Sequence, residues 1–202
     1  GETVVGKIFC IMGKSATGKD TIYKALLARE DLGLRRIVSC TTRPIRAGEA
    51  DGVEYHFCTE EERDRLLASG RVIEMRSYDT CEGRWDYFTV ADDRIDLSAG
   101  DYLIIGTLES YCKIRDFYGK EQVVPIYIEV EDGLRLSRAL ERERGQQHPK
   151  YREMCRRFLA DEQDFSQEKL AKAEIDRRFV NEEADRTQEE IASYIMSLRR
   201  TS

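Results

Sequence analysis

The stretch Gly13-Lys14-Ser15-Ala16-Thr17-Gly18-Lys19-Asp20-Thr21 limits what this chain can fold into more than any other. It follows the apolar run Lys7-Ile8-Phe9-Cys10-Ile11-Met12 and precedes a helix-forming run from Thr21 to Arg29. That order is strand, glycine loop, helix, and the spacing Gly-x-x-x-x-Gly-Lys is that of a phosphate-binding loop. Glycines let the backbone curl so that successive N–H groups point at phosphate oxygens. The helix opening at Gly18 adds free N–H groups and the positive end of its dipole. Lys19 brings a cation to the β- and γ-phosphates. Residues 13–21 are therefore the expected ATP site. Position 20 is Asp, where Ser or Thr normally reaches Mg²⁺. Two readings stand: Asp20 holds the metal, directly or through water, or it caps the helix and repels a triphosphate. Thr21 is next in line but points elsewhere on the helix.

With 202 residues and 41% apolar side chains, the chain can bury one α/β core and carry inserted subdomains. Its charged residues are of mixed sign and sum to −6, which argues against a nucleic-acid surface. No apolar run approaches the roughly 20 residues of a bilayer span. No signal peptide is expected at the front, where Gly1 reads as a cloning remnant. The cysteines Cys10, Cys40, Cys58, Cys81, Cys112 and Cys155 form no Cys-x-x-Cys pair. They read as reduced core thiols of a cytoplasmic protein. His56 and His148 are too few and too far apart for zinc.

Alternation predicts strands over 35–42, 55–58, 72–76 and 86–90, with a polar loop over 43–54 and a turn over 79–84. Thr59-Glu60-Glu61-Glu62 reads as a capping box for a helix ending at Gly70. Residues 37–91 thus look like an inserted block with its own small sheet. Further strands are expected at 102–106, 123–128 and 178–180. Pro125 removes a ladder donor, which predicts a strand nearer the sheet edge. Helices are expected over 108–117, 132–144 and, after a break at 145–149, one long charged helix over 151–173. Thr187-Gln188-Glu189-Glu190 reads as the cap of a last helix ending near Arg199. Strands alternating with helices predict an α/β fold with a parallel sheet covered on both faces.

Arg43-Pro44-Ile45-Arg46 sets two guanidinium groups three residues apart beside a rigid proline, suited to forked contacts with phosphate. The longer run Ser39-Cys40-Thr41-Thr42-Arg43-Pro44-Ile45-Arg46-Ala47-Gly48-Glu49, followed by Gly52 and Tyr55-His56-Phe57, resembles the GMP-binding segment of the guanylate kinase family. The order of elements is similar to that family over nearly the whole chain.

The resemblance implies a three-layer P-loop kinase core (1–36, 92–132 and 166–202), an inserted mixed-sheet acceptor subdomain (37–91) and a helical lid (133–165). It implies that Arg43, Arg46, Tyr55 and Tyr87 hold the acceptor phosphate. Ser39 and Glu74 would read guanine, supported by Asp164. Arg138, Arg142 and Arg157 would close over the transferring group with Lys19, and Asn181 would lie by the adenine of ATP. The implied reaction moves the γ-phosphoryl of ATP to GMP or dGMP with Mg²⁺. Its partners would be small nucleotides, with neither nucleic acid nor membrane, in a monomer or dimer. Two other readings follow from relatives: a kinase of a sugar phosphate such as ribose 1,5-bisphosphate, or a non-catalytic phosphopeptide-binding module. The chain departs from the family in three places. Asp20 replaces the metal-binding hydroxyl. Gly106 and Leu108 stand where the family carries two aspartates. Trp85-Asp86 replaces the usual approach to the second tyrosine, after a turn about four residues longer.

Overall fold

The computed structural model describes residues 5–80, 82–92 and 94–200; Gly1 and Cys81 lie outside them. In chain order the elements are β1 (Ile8–Met12), α1 (Lys19–Ala28), β2 (Arg35–Arg36), β3 (Cys40–Thr41), β4 (His56–Phe57), α2 (Glu60–Ala68), β5 (Val72–Thr80) and β6 (Gly83–Val90). There follow β7 (Tyr102–Ile105), α3 (Leu108–Tyr118), β8 (Val123–Glu129), α4 (Asp132–Arg144), α5 (Tyr151–Asp164), α6 (Gln167–Lys172), β9 (Arg178–Val180) and α7 (Ala184–Arg200).

Five strands form a parallel sheet in the order β2-β7-β1-β8-β9. Strand side chains alternate between faces, and the sheet buries both. Ile8, Cys10, Met12, Tyr102, Ile104, Val123 and Tyr127 pack against α3, Phe165 and α6. Phe9, Ile11, Leu103, Val124, Ile126 and Ile128 pack against Ile22 and Leu26 of α1 and Ile191 and Ile195 of α7. The fold is thus three layers, as the alternation of apolar strands and helices requires. A second, mixed sheet runs β4-β3-β6-β5. Its interior is small: Cys40, Phe88 and Val90 are buried, flanked by Leu66 of α2. Among the described residues no helix is long and apolar enough to cross a membrane.

Several boundaries differ from the sequence reading. The strand expected over 35–42 is two short strands in two different sheets. Ile37 still turns into the main core, and the chain then leaves that sheet. Strands β5 and β6 run closer to their connection than the expected turn allows, reaching Thr80 and Gly83. There Thr80 Oγ1 donates to the Gly83 carbonyl (2.6 Å) and accepts from the Glu82 N–H (3.2 Å).

Pro125 lies in an interior strand, paired with Cys10 of β1. The edge strand β9 pairs only with Tyr127–Glu129, so the proline has a neighbour on one side only. The long helix of 151–173 is broken at Phe165, which turns inward against the ring of Tyr127 (5.8 Å), and Ser166 caps α6. Thr187 does not cap the last helix. It sits within α7, its hydroxyl shared between the carbonyls of Val180 and Glu183. Of the five described cysteines, Cys10 and Cys40 are buried and Cys155 is exposed, so the last is no core thiol.

The capping box at Thr59 and Glu62 forms as read, and a second, formed by Thr107 and Ser110, opens α3. Thr107→Ala should cost about 1 kcal/mol of stability, and Phe88→Ala about 3–5 kcal/mol because the small sheet has little else to close the void. Urea unfolding followed by circular dichroism measures both.

Candidate active site

The glycine loop joins β1 to α1 and is packed on both sides. A Cβ on Gly13 would come within 2.7 Å of the Ile128 carbonyl. Gly18 has φ 80° and opens α1, and a Cβ there would strike the Asn181 amide at 2.7 Å. Ala16 also adopts a left-handed conformation, φ 62°, a strain kept by its buried surroundings. Thr17 donates its hydroxyl to the Lys14 carbonyl (2.8 Å) and receives the Asn181 Nδ2–H on its own carbonyl (2.8 Å). Asn181 therefore braces the loop, and its buried Oδ1 has no partner. Lys19 reaches the Lys14 carbonyl only at 3.5 Å. Burial holds its ammonium pKa below the ordinary value, against the pull of Asp20 and Asp161, and Arg142 and Arg135 add to the lowering. Asp20 and Thr21 are exposed in the first turn of α1.

Helices α4 and α5 bring charge onto this loop. Asp161 Oδ2 accepts from the Ser15 N–H (2.8 Å) and the Ser15 hydroxyl (2.5 Å). A carboxylate oxygen thus takes donors suited to a phosphoryl oxygen. Lys14 pairs with Glu162 at 2.7 Å. Arg135 is 1% exposed. It donates to the Ser15 carbonyl (3.1 Å), Asp132 (3.0 Å) and Glu162 (3.1 Å), and its guanidinium lies 4.6 Å from the Phe158 ring centre. Between the two helices a cavity of about 380 Å³ opens onto Ser15 and Ala16, with Arg142 and Arg157 in its wall. Arg138 is not in that wall. Residues 135, 139 and 142 form the inward stripe of α4, and position 138 falls off its edge.

The small sheet gathers the other sequence-read residues. Glu74 pairs in register with Thr89, and Arg76 with Tyr87, so these four share one face. Ser39 Oγ lies 3.3 Å from Thr89 Oγ1, and Thr89 donates to Glu74 Oε1 at 2.8 Å. The other oxygen of buried Glu74 lies 3.4 Å from Arg76 Nε. Beside this row the Tyr55 and Tyr87 rings meet edge to face at 5.5 Å, and the Arg43 guanidinium lies 5.3 Å from the Tyr55 ring centre. Arg43 is buried and forks onto Glu49 with bonds of 2.9 and 3.0 Å. Arg46 is exposed, with its guanidinium 5.9 Å from the Trp85 ring centre. Asp164 ends α5 and lines a second cavity with Arg76 and Tyr78.

Thr89, Asp132, Arg135, Asp161 and Asp86 escaped the sequence reading. Thr89 carried a signal, since it alternates with Tyr87 on β6. Asp132 and Arg135, three apart, mark a helical pair. Asp161 bore no signal, because its partner lies 146 residues away. Asp86 is buried and accepts from Ser77 (2.6 Å) and Arg63 (2.7 Å), fastening α2 to β6. Burial works against its charge, but those two donors hold its pKa below the ordinary carboxylate value.

Residues 5–82 match the family model for guanylate kinase. Over those residues the chain is similar to guanylate kinases. A guanylate kinase of Symbiobacterium thermophilum is 54% identical over 69 residues, 34% of this chain and 32% of that one. One from Neisseria meningitidis is 44% identical over 100 residues, 50% of this chain and 46% of the other. The chain thus spans about a third to a half of the length of these curated relatives. The crystal structure of guanylate kinase from Anaplasma phagocytophilum covers 96% of this chain and 86% of its own, at 24% identity and a TM-score of 0.59, so the fold is shared throughout. The matched segment contains the glycine loop, Ser39, Arg43, Arg46, Tyr55 and Glu74. Tyr87, the arginines of α4 and α5, Asp164 and Asn181 lie beyond it.

Removing the buried cation leaves Asp132, Asp161 and Glu162 facing one another. Arg135→Met should lower stability by about 3 kcal/mol, measured by urea unfolding at neutral pH. The Arg43 fork pulls the Glu49 carboxyl down to about 2 from an ordinary 4.5. A depressed folded pKa gives stability that is present above the ordinary value and lost as pH falls toward the depressed one. The Glu49 side-chain carbon should therefore titrate by NMR near pH 2 in the wild type, and near its ordinary value in Arg43→Met.

Proposed function

We propose that the protein is a phosphotransferase that moves the γ-phosphoryl of ATP to GMP or dGMP. The observation that carries this reading is the row Ser39–Thr89–Glu74 beside Arg43, Tyr55 and Tyr87, in a chain that keeps an intact glycine loop. A carboxylate accepts hydrogen bonds from paired donors. Guanine offers such a pair on its pairing edge, and adenine does not. The hydroxyl of Ser39 supplies a donor for the guanine carbonyl, while that of Thr89 stays on Glu74. Tyr55, Tyr87 and the two arginines hold the acceptor phosphate, with Arg43 fixed in place by Glu49.

On the donor side, the Ser15 N–H and hydroxyl pass from Asp161 to a phosphoryl oxygen as ATP enters. Lys19, Arg142 and Arg157 neutralise charge as donor and acceptor line up. In this division residues 37–91 bind the acceptor, 133–165 form a lid that excludes water, and the remainder is the core. Asn181 acts here by bracing the loop. Mg²⁺ is commonly held by one or two carboxylates together with phosphate oxygens and water. Exposed Asp20, next to Lys19, fits such a site, and among the described residues no group of three or more His, Cys, Asp or Glu forms a protein-only cage. The metal supplies charge neutralisation at the phosphoryl oxygens.

Coupled ADP release with Mg²⁺ and ATP, run across GMP, AMP, CMP and UMP, tests the reading. GMP should be preferred, and turnover of none of the four would overturn it. Glu74→Gln should lower kcat/KM for GMP on the order of 100-fold, because a donor replaces an acceptor in a polar site. ATP affinity by calorimetry should be unchanged.

A further inference from the structure

A cavity of about 650 Å³ lies between β5, α3 and the region of α6, and the residues above leave most of it unused. Its cations are Arg76, Arg115, Lys169 and Lys172; its acids are Glu109 and Asp164. Glu109 is already matched by Lys113 at 3.4 Å. The wall is therefore positive within a chain of net charge −6. Lys169 and Lys172 stand three apart on α6, both exposed, so a single anion can meet both. Arg115 donates to the Ala173 carbonyl (3.1 Å) and so fixes the end of that helix. Arg76 Nε is buried and without a hydrogen-bond partner. Among the described residues its only ionic contact is the one with Glu74. Arg76 lines the cavity, so an anion there meets its guanidinium in partnership with Lys169 and Lys172.

The cavity is continuous with the acceptor face. Arg76 pairs in register with Tyr87. Tyr78 lines the cavity and meets the Tyr87 ring at 5.7 Å, and Tyr87 in turn meets Tyr55 at 5.5 Å. One cradle, around Arg43 and the tyrosines, and a second, around Arg76 and the α6 lysines, thus sit at two ends of one aromatic wall. We propose that this cavity is an anion subsite that takes a second phosphoryl group of the acceptor, so that the preferred acceptor is a doubly phosphorylated nucleotide. This rests on the acceptor reading given under Proposed function.

Calorimetry tests it without turnover. GMP, guanosine 2′,5′-bisphosphate and guanosine 3′,5′-bisphosphate are titrated at low salt into the wild type and into Lys169→Gln/Lys172→Gln. At least one bisphosphate should bind the wild type about tenfold more tightly than GMP, the scale of one charge-assisted contact. The double substitution should cut that advantage to about twofold with GMP affinity unchanged. Equal affinities for the wild type overturn the proposal, as does an advantage that survives the substitution. Inorganic phosphate separates the sources of the anion. Lysine-dependent binding of free phosphate without a bisphosphate advantage makes the cavity a free-anion site and overturns the acceptor assignment. The two readings fail separately. Lysine-dependent bisphosphate binding without GMP turnover removes the reaction and keeps the subsite; GMP turnover without a bisphosphate advantage does the reverse.

Discussion

The contact on which the site depends is the buried guanidinium of Arg135. A cation that deep is tolerated only when it is matched by acceptors. Arg135 has three, from three segments: the Ser15 carbonyl of the glycine loop, Asp132 of its own helix and Glu162 of α5. The same two helices deliver Asp161 to Ser15 and Glu162 to Lys14. One charge network thus fixes where α4 and α5 stand relative to the loop. The loop's own strain, at Ala16, is held from the other side by Asn181. Neither brace is local in sequence, so the loop conformation is a property of the assembled fold and not of its glycines alone.

The small sheet solves a different problem with similar means. Its buried apolar interior is slight, yet it keeps Glu74, Asp86, Thr89 and Arg43 almost fully buried. Each is matched. Asp86 takes Ser77 and Arg63, Glu74 takes Thr89, and Arg43 takes Glu49. A polar interior of this kind gains little net stability. What it gives is position: side chains with partners already in place lose little freedom when a ligand arrives. Arg43 is the clearest case, since its fork is spent on Glu49 and what remains for a ligand is its aromatic-facing edge. Arg46, by contrast, is exposed and must be ordered by whatever binds.

Much of this was legible in the sequence because it is local. The strand–loop–helix around Lys19, the capping box at Thr59 and the span of α4 each depend on residues a few positions apart, where periodicity and capping rules apply. The paired short motif around Arg43 was legible for the same reason. What failed depended on distant partners. The long charged pattern of 151–173 gave no hint of its break, because Phe165 turns inward only when Tyr127 offers a ring to pack on. Pro125 did place its strand near the edge, since β8 stands beside the edge strand β9, and the shortness of β9 leaves the proline unpaired on that side. Arg138 and Arg142 look equivalent as a helical pair until the direction of the inward stripe is fixed by Arg135. The Asp161–Ser15 contact joins residues 146 positions apart, and no spacing rule reaches that far.

That last contact bears on how a loop of converging N–H groups keeps its shape. Converging N–H groups form a concentration of unmatched donors, and leaving them unmatched costs free energy. Water can answer part of this need, but a carboxylate answers it with charge as well. Asp161 does so at Ser15, and the lysine and arginine nearby balance what it brings. Under the proposed function, triphosphate binding at Ser15 is an exchange of one anion for another, with little change in the number of satisfied donors. The free energy of that exchange is a difference between two similar terms. Selectivity for a triphosphate must therefore come from groups the carboxylate does not satisfy: the remaining loop amides, Lys19 with its burial-lowered pKa, and the arginines of the cavity above. A loop braced in this way keeps its shape, and under the proposed function the helix that carries Asp161 moves when a nucleotide arrives.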